Sequence, residues 1–257
     1  MNKTYLINLH KKHSIIALVA TLISLFCYGY SLYGDFVAFA IDGISLHVFR
    51  YFTILTGMYG FLTTIMVIPF AVNGLLKKRF TYPRWMSLLH FSSIISTTLV
   101  FVFTLFFISW FDPTLAFGSY NFFLHIICPL LIMTSFYMTE SPYNYNNIES
   151  AICMAPFAIY SVVYLINVVF RKTWDDIYNF NTFLPFYISM PLMYLLATLI
   201  VFILRRLNRI KNRVLRKQMS ASWEEGLDGV SVKVDVYGLG RYMGLHGEAN
   251  NIMIIDS

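Results

Sequence analysis

Residues 14–33 read SIIALVATLISLFCYGYSLY, an apolar stretch without a charged side chain. A helix crosses the hydrocarbon core of a bilayer with about 20 mostly apolar residues, so this stretch is long enough to span a membrane. Further apolar stretches follow it, and the charged residues lie almost entirely between or beyond them. The six predicted spans are residues 14–33, 51–76, 86–110, 121–139, 151–170 and 183–204.

The overall composition agrees with this pattern. Apolar residues make up 58% of the chain and charged residues only 12%, whereas a soluble domain has about 25% charged residues. The sequence therefore predicts an all-α membrane protein, with a bundle of six transmembrane helices over residues 1–206. A basic juxtamembrane segment and a short cytoplasmic tail would occupy residues 207–257. No stretch remains that would form a soluble catalytic domain, so any chemistry belongs to the bundle.

The lysine and arginine residues predict the orientation, because cytoplasmic loops of membrane proteins carry an excess of positive charge. With the N-terminus inside, the inner segments carry Lys3, Lys11, Lys12, Lys77, Lys78, Arg79, Arg84 and the basic run at 205–217. The outer segments carry Arg50, Arg171 and Lys172, and the last two are offset by Asp175 and Asp176. The first stretch resembles a signal peptide but is followed by no small-residue cleavage site, so we expect it to be retained. These patterns predict a multi-pass protein of the cell membrane with both termini in the cytoplasm.

The net charge of +6 comes chiefly from the basic run at 205–217, so it predicts no nucleic-acid partner. The run is spaced like a helix that continues out of the membrane, either contacting anionic lipid heads or serving as an ordinary stop-transfer anchor. The three cysteines have no metal-like spacing, and we expect no disulfide, metal or cofactor. Residues 220–257 are polar, and their alternating run at 230–236 predicts a short hairpin or a disordered tail.

Two polar side chains are predicted at one depth of the membrane. Arg50, Thr53 and the pair Thr56-Gly57 share one face of the second span, because they are three and six or seven residues apart. His125 lies in the fourth span, which enters the membrane from the same outer side. At 1.5 Å per residue, Thr53 and His125 lie within about one helical turn of the same level. His47, Asp35 and Asp42 occupy the first outer segment, from which they would reach a cavity at this level from above.

Pro129, four residues after His125, favours a functional role for the histidine. Proline has no N–H to bond the carbonyl four residues earlier, which is that of His125, so we expect a kink there and a polar cavity beside it. An imidazole suits a general base, and such a base within hydrogen-bond reach activates a threonine hydroxyl as a nucleophile. The alternatives are structural: a membrane threonine often bonds its own helix, and a membrane histidine can be a packing residue.

The residues around this pair resemble a known family. The run Arg50-Tyr51-Phe52-Thr53 and the pattern Asn121-x-x-x-His125-x-x-x-Pro129 are similar to the androgen-induced and androgen-dependent TFPI-regulating proteins. Members of that family are integral-membrane threonine hydrolases that cleave fatty acid esters of hydroxy fatty acids. The stretches Pro156-Phe157-x-x-Tyr160-x-x-x-Tyr164 and Trp174-x-Asp176-x-Tyr178 also resemble uncharacterised bacterial six-span relatives.

The resemblance implies a role for each candidate residue. Thr53 takes the place of the nucleophile and His125 that of the base, with a membrane lipid as the substrate. Thr56, Asn121 and Tyr51 are the candidates for stabilising the oxyanion. Arg50 would hold a carboxylate or phosphate group of the substrate, or would simply extend to the membrane interface. The alternative is a non-catalytic membrane protein that binds or transports a small molecule or holds a partner protein. The sequence does not define an oligomeric state.

Overall fold

The protein is described from a computed structural model, which covers residues 3–41, 45–77, 83–138, 144–178, 181 and 185–224. Every regular element within these ranges is helical. The α-helices are α1 (Lys3–Ile41), α2 (Phe52–Lys77), α3 (Arg84–Phe103), α4 (Ser109–Phe111), α5 (Pro113–Phe117), α6 (Ser119–Phe122), α7 (Cys128–Met138), α8 (Asn147–Cys153), α9 (Ala155–Tyr164) and α10 (Phe186–Glu224). A 3₁₀ helix spans Ser45–Arg50, and three π-helical segments span Thr104–Ile108, Phe123–Ile127 and Leu165–Phe170.

Five of these helical stretches are long and apolar enough to cross a membrane, namely Lys12–Ala38, Phe52–Asn73, Arg84–Ile108, Tyr120–Met138 and Phe186–Val214. A sixth span arises if the bent pair Asn147–Cys153 and Ala155–Phe170, which turns by 46°, is counted as one. The prediction of an all-helical protein is therefore confirmed for the described residues, and five or six of its helical stretches have the length and composition to cross a membrane. The alternating run at 230–236, for which a hairpin or a disordered tail was predicted, lies outside them.

Helices α1 and α2 pack antiparallel through glycines of both helices. A Cβ on Gly60 would lie 2.5 Å from the Tyr28 hydroxyl oxygen, and one on Gly57 would lie 3.4 Å from Leu32. Beside the first of these pairs, a Cβ on Gly29 would lie 3.6 Å from Phe61. The residue numbers of each contacting pair add up to nearly the same value, as antiparallel neighbours require. Small residues at such positions let two helix backbones approach closely.

The three π-helical segments lie at one end of the bundle, which we call the Arg50 end. Helix α2 begins there, α3 and α9 finish there, and the fourth span begins there. The segment Phe123–Ile127 directly precedes Cys128 and Pro129, so the distortion predicted from the proline is confirmed and takes the form of a π-helical turn. Such turns are frequent at functional sites because they redirect side chains within a helix.

Helix α3 lies at the centre of the bundle. All residues from His90 to Val100 are buried, although the stretch contains Ser92, Ser93, Ser96, Thr97 and Thr98. The hydroxyls of Ser96 and Thr97 donate to carbonyls of their own helix one turn earlier, which satisfies these two buried groups. His90 is buried in the same stretch, with its ring 5.3 Å from that of Phe136.

The other end of the bundle carries the basic residues. Arg84 forms an ion pair with Glu149, and its Nε donates to Glu149 Oε1 at 3.0 Å. Glu149 and Asn146 also cap α8 reciprocally. Helix α10 continues to Glu224, so the prediction that the basic run extends the last span as a helix is confirmed. Arg205 within this helix donates to Asn147 at 2.8 Å.

Candidate functional site

Thr53 lies in the first turn of α2 and lines a small interior cavity at the Arg50 end. The cavity has a volume of about 30 Å³, which is room for about two water molecules. Its walls come from α2, α3, α9, α10 and the segment before α10; the lining residues are Phe52, Thr53, Leu99, Val100, Phe103, Phe157, Tyr160, Ser161, Tyr178, Met190 and Met193. Four of these residues carry a hydroxyl group, but the surface that the cavity presents is apolar.

Tyrosine hydroxyls surround the start of α2. The Tyr178 hydroxyl accepts a hydrogen bond of 2.8 Å from the backbone N–H of Phe52, one of the amides that a helix N-terminus leaves unsatisfied. Thr53 and Tyr160 supply the other polar neighbours of the same hydroxyl. Burial raises the pKa of Tyr178 to about 12, so the phenol keeps its proton at neutral pH and can donate.

The segment that carries Tyr178 is held by an acidic residue. Tyr164 donates to Asp176 Oδ1 at 2.8 Å, and the backbone N–H of Asn181 donates to Asp176 Oδ2 at 2.8 Å. The hydroxyl oxygen of Tyr164 in turn accepts a hydrogen bond of 3.4 Å from the backbone N–H of Tyr178. These bonds show that Asp176 fixes the loop against α9.

His125 is buried in the π-helical turn of the fourth span, with 4% of its surface exposed. Its Nδ1 lies 3.1 Å from the carbonyl oxygen of Ala116. A carbonyl oxygen only accepts, so Nδ1 carries the proton and donates. In the neutral ring, Nε2 is then the unprotonated nitrogen, which is the arrangement a general base requires.

Thr53 and His125 lie at the same end of the bundle but do not form a hydrogen bond with each other within the described chain. Their helices meet one turn below Thr53. A Cβ on Gly57 would lie 2.6 Å from Cδ1 of Leu124, the residue that precedes His125. The structure therefore brings the two helix segments into contact, while the cavity beside Thr53 is lined by tyrosines and not by His125.

The three predicted substrate-binding residues also lie at the Arg50 end. Arg50 is half-buried, with its guanidinium 5.9 Å from the ring centre of Trp174. Thr56 is buried and donates to the Thr53 carbonyl at 2.9 Å, which is the structural alternative weighed for a membrane threonine. Asn121 is half-buried at the start of the fourth span, where its N–H donates to Gly118 at 3.0 Å.

Sequence reasoning assigned no role to Tyr160, Tyr178 or Asp176, although all three occur in the stretches quoted for their resemblance to bacterial relatives. It also placed Asp35 in an outer segment, whereas Asp35 lies on α1, inside the first span. The signal was available, since the apolar helical pattern continues past Asp35 through Phe36, Val37 and Ala38.

Within the described ranges, no three His, Cys, Asp or Glu side chains come together as metal ligands. Comparison with protein-family models, with curated proteins and with solved structures gave no match to the chain.

Proposed function

We propose that the protein is an integral membrane hydrolase that cleaves a lipid ester, of the fatty acid ester of hydroxy fatty acid type, with Thr53 as the nucleophile. The observation that carries the proposal is the position of Thr53 at an interior cavity, beside the hydroxyls of Tyr160 and Tyr178. The cavity lies among apolar side chains, as a site for a lipid ester requires.

His125 is the base of the proposed reaction. Its bond to the Ala116 carbonyl fixes the tautomer with Nε2 free to accept a proton. In this role it takes the proton of the Thr53 hydroxyl, whose oxygen attacks the ester carbonyl carbon and releases the alcohol. Nucleophile and base are often separated in empty sites and approach only in the substrate complex, so the proposal includes a shortening of the distance between them.

Water completes the cycle. After the first step, the acyl group is bound to the Thr53 oxygen, and hydrolysis needs a water molecule beside that bond. The cavity of about 30 Å³ next to Thr53 has the size for such a molecule. In the proposed step, His125 takes the proton of this water molecule as it attacks.

The membrane arrangement is part of the same proposal. We propose that the bent pair forms one span, which gives six, and that both termini lie in the cytoplasm. The support is the distribution of charge, since the exposed basic residues Arg206, Arg209 and Arg213 extend from the end opposite Arg50. The Arg50 end, with Thr53, would then lie near the outer leaflet.

The test is hydrolysis of a purified ester of palmitic acid with hydroxystearic acid by the protein in detergent micelles. Wild type should release both acids, while Thr53→Ala and His125→Ala should lose at least about 100-fold in kcat. Thr134→Ala is the matched control, because Thr134 is exposed on α7 and donates to its own helix at 2.8 Å. Equal rates for Thr53→Ala and wild type would refute the proposal.

A non-catalytic binding role is the second candidate, favoured by the missing hydrogen bond between Thr53 and His125. In that case the wild-type protein would retain a lipid through purification without cleaving it. Native mass spectrometry that found an intact bound lipid, together with no hydrolysis by wild type, would favour this role.

A further inference from the structure

Asp35 is a carboxylic acid inside the membrane-spanning part of α1. Only 7% of the Asp35 surface is exposed. Its Oδ2 atom is buried and has no hydrogen-bond partner among the described residues. In the described part of the chain, no cation forms an ion pair with it. An ionisable residue in a span is expensive and is usually retained for function, so this side chain needs an explanation.

The packing of α1 on α2 gives the level of Asp35 relative to α2. Tyr28, Leu32 and Asp35 are four and then three residues apart, so they share one face of α1. That face contacts Gly60 and Gly57.

The face of α2 has a matching spacing. Thr53, Gly57 and Gly60 are also four and then three residues apart. Because the helices are antiparallel, Tyr28 meets Gly60 and Leu32 meets Gly57. Continued by one further turn, this register brings the turn of Asp35 to the level of the turn that carries Thr53.

The environment of Asp35 favours the protonated form. An ionised carboxylate without a counterion is costly to bury among apolar groups. Among the described side chains of the neighbouring elements, Arg50 lies over the ring of Trp174, and His125 donates to Ala116. The ring of Tyr120 on α6 lies against the backbone of Gly34, the residue before Asp35. A protonated carboxyl has one O–H donor to offer, and Asp35 Oδ2 has no hydrogen-bond partner among the described residues.

We propose that the protonated carboxyl group of Asp35 is the oxyanion-stabilising donor of the site and binds the carbonyl oxygen of the ester substrate. This inference rests on the proposed hydrolase function. Of the earlier candidates, Thr56 already uses its hydroxyl proton on the Thr53 carbonyl. A carboxylic acid kept neutral by apolar surroundings is a known type of donor to a developing oxyanion.

The proposed first step forms an acyl-enzyme on Thr53 and releases the alcohol. Thr53 Oγ1 forms a bond to the carbonyl carbon, its proton moves to His125, and the π electrons of the C=O bond move onto oxygen. Asp35 donates a hydrogen bond to that oxygen and keeps its own proton. When the C=O bond re-forms, the bond to the alcohol oxygen breaks, and His125 returns the proton to that oxygen.

The experiment measures hydrolysis of the palmitic acid ester of hydroxystearic acid by the purified full-length chain. Asp35→Leu should lower kcat by about 100- to 1,000-fold with little change in KM, the usual loss for one oxyanion donor. Asp35→Asn should stay within about 10-fold of wild type, because its amide still donates. Asp175→Asn is the control, because Asp175 is exposed in the loop after α9. An infrared difference spectrum between wild type and Asp35→Asn should also contain the carbonyl band of a protonated carboxyl group.

Each outcome bears on the proposal. If Asp35→Leu keeps the wild-type kcat while Thr53→Ala is inactive, the hydrolase stands and the role of Asp35 is refuted. If Asp35→Asn is as slow as Asp35→Leu, the residue acts in its ionised form and the proposal is wrong. A missing carboxyl band in the infrared spectrum overturns it independently of activity, even if one variant fails to fold. If Thr53→Ala hydrolyses the ester as wild type does, or wild type does not hydrolyse it, the proposed function fails and the proposal with it.

Discussion

The hydroxyl of Tyr160 on α9 donates a hydrogen bond of 2.6 Å to the carbonyl oxygen of Arg50, directly before α2. The same tyrosine is a polar neighbour of the Tyr178 hydroxyl, which in turn accepts the N–H of Phe52. One side chain thus links a span late in the sequence to the turn that carries Thr53. The site depends on contacts between residues more than 100 positions apart.

Removal of the Tyr178 hydroxyl should destabilise the protein. In Tyr178→Phe the N–H of Phe52 loses its acceptor, and a buried amide without a partner costs about 1–3 kcal/mol. We expect a lower midpoint of thermal unfolding in detergent. Tyr187→Phe is the control, since Tyr187 is 77% exposed on α10. Equal midpoints for the two variants would show that the bond contributes nothing to stability.

The close approach of α1 and α2 should make Gly60 intolerant of a methyl group. A Cβ there would lie 2.5 Å from the hydroxyl of Tyr28, whose ring is fully buried and cannot move aside. We expect Gly60→Ala to cost about 1–3 kcal/mol in unfolding free energy, the range for overpacking. Gly29→Ala should cost less than Gly60→Ala, because its Cβ would lie 3.6 Å from Phe61, an ordinary contact. A reversed order of the two variants would contradict the packing described here.

Glu149 should contribute to stability through two separable interactions. It caps α8 together with Asn146, and it pairs with Arg84. Glu149→Gln keeps an oxygen for the cap and loses only the charge, whereas Glu149→Ala loses both. We expect Glu149→Ala to lower the unfolding free energy by about 1–2 kcal/mol and Glu149→Gln by roughly half as much. Denaturant titration at low salt measures both, and a larger loss for Glu149→Gln would be inconsistent with the cap.

The proposed orientation predicts which positions react with an impermeant thiol reagent in intact cells. The native cysteines are all buried, so they should give little background. Thr173→Cys, exposed in the loop after α9, should react from outside. Arg213→Cys, exposed on α10, should react only after the membrane is permeabilised. The opposite pattern would invert the topology.

Much of the fold follows from the sequence, because apolar length alone specifies which segments can cross a membrane. The sequence also predicts that Thr53 and His125 lie at the same end of the bundle, because each lies close to the start of a span and the two spans start at the same end. The partners of Thr53 do not follow. Tyr160 and Tyr178 reach it through a loop whose course depends on Asp176 and Asn181, and no local pattern encodes that path. The burial of His90 on α3 does not follow either, because hydropathy does not report which span occupies the centre of the bundle.

The most direct test of Thr53 as nucleophile is the mass of the protein after reaction with a long-chain fluorophosphonate, which traps an activated hydroxyl as a stable adduct. We expect one adduct on the purified wild-type protein, localised by peptide mapping to Thr53, and none on Thr53→Ala. An unmodified wild-type protein, or an adduct that persists on Thr53→Ala, would contradict the account.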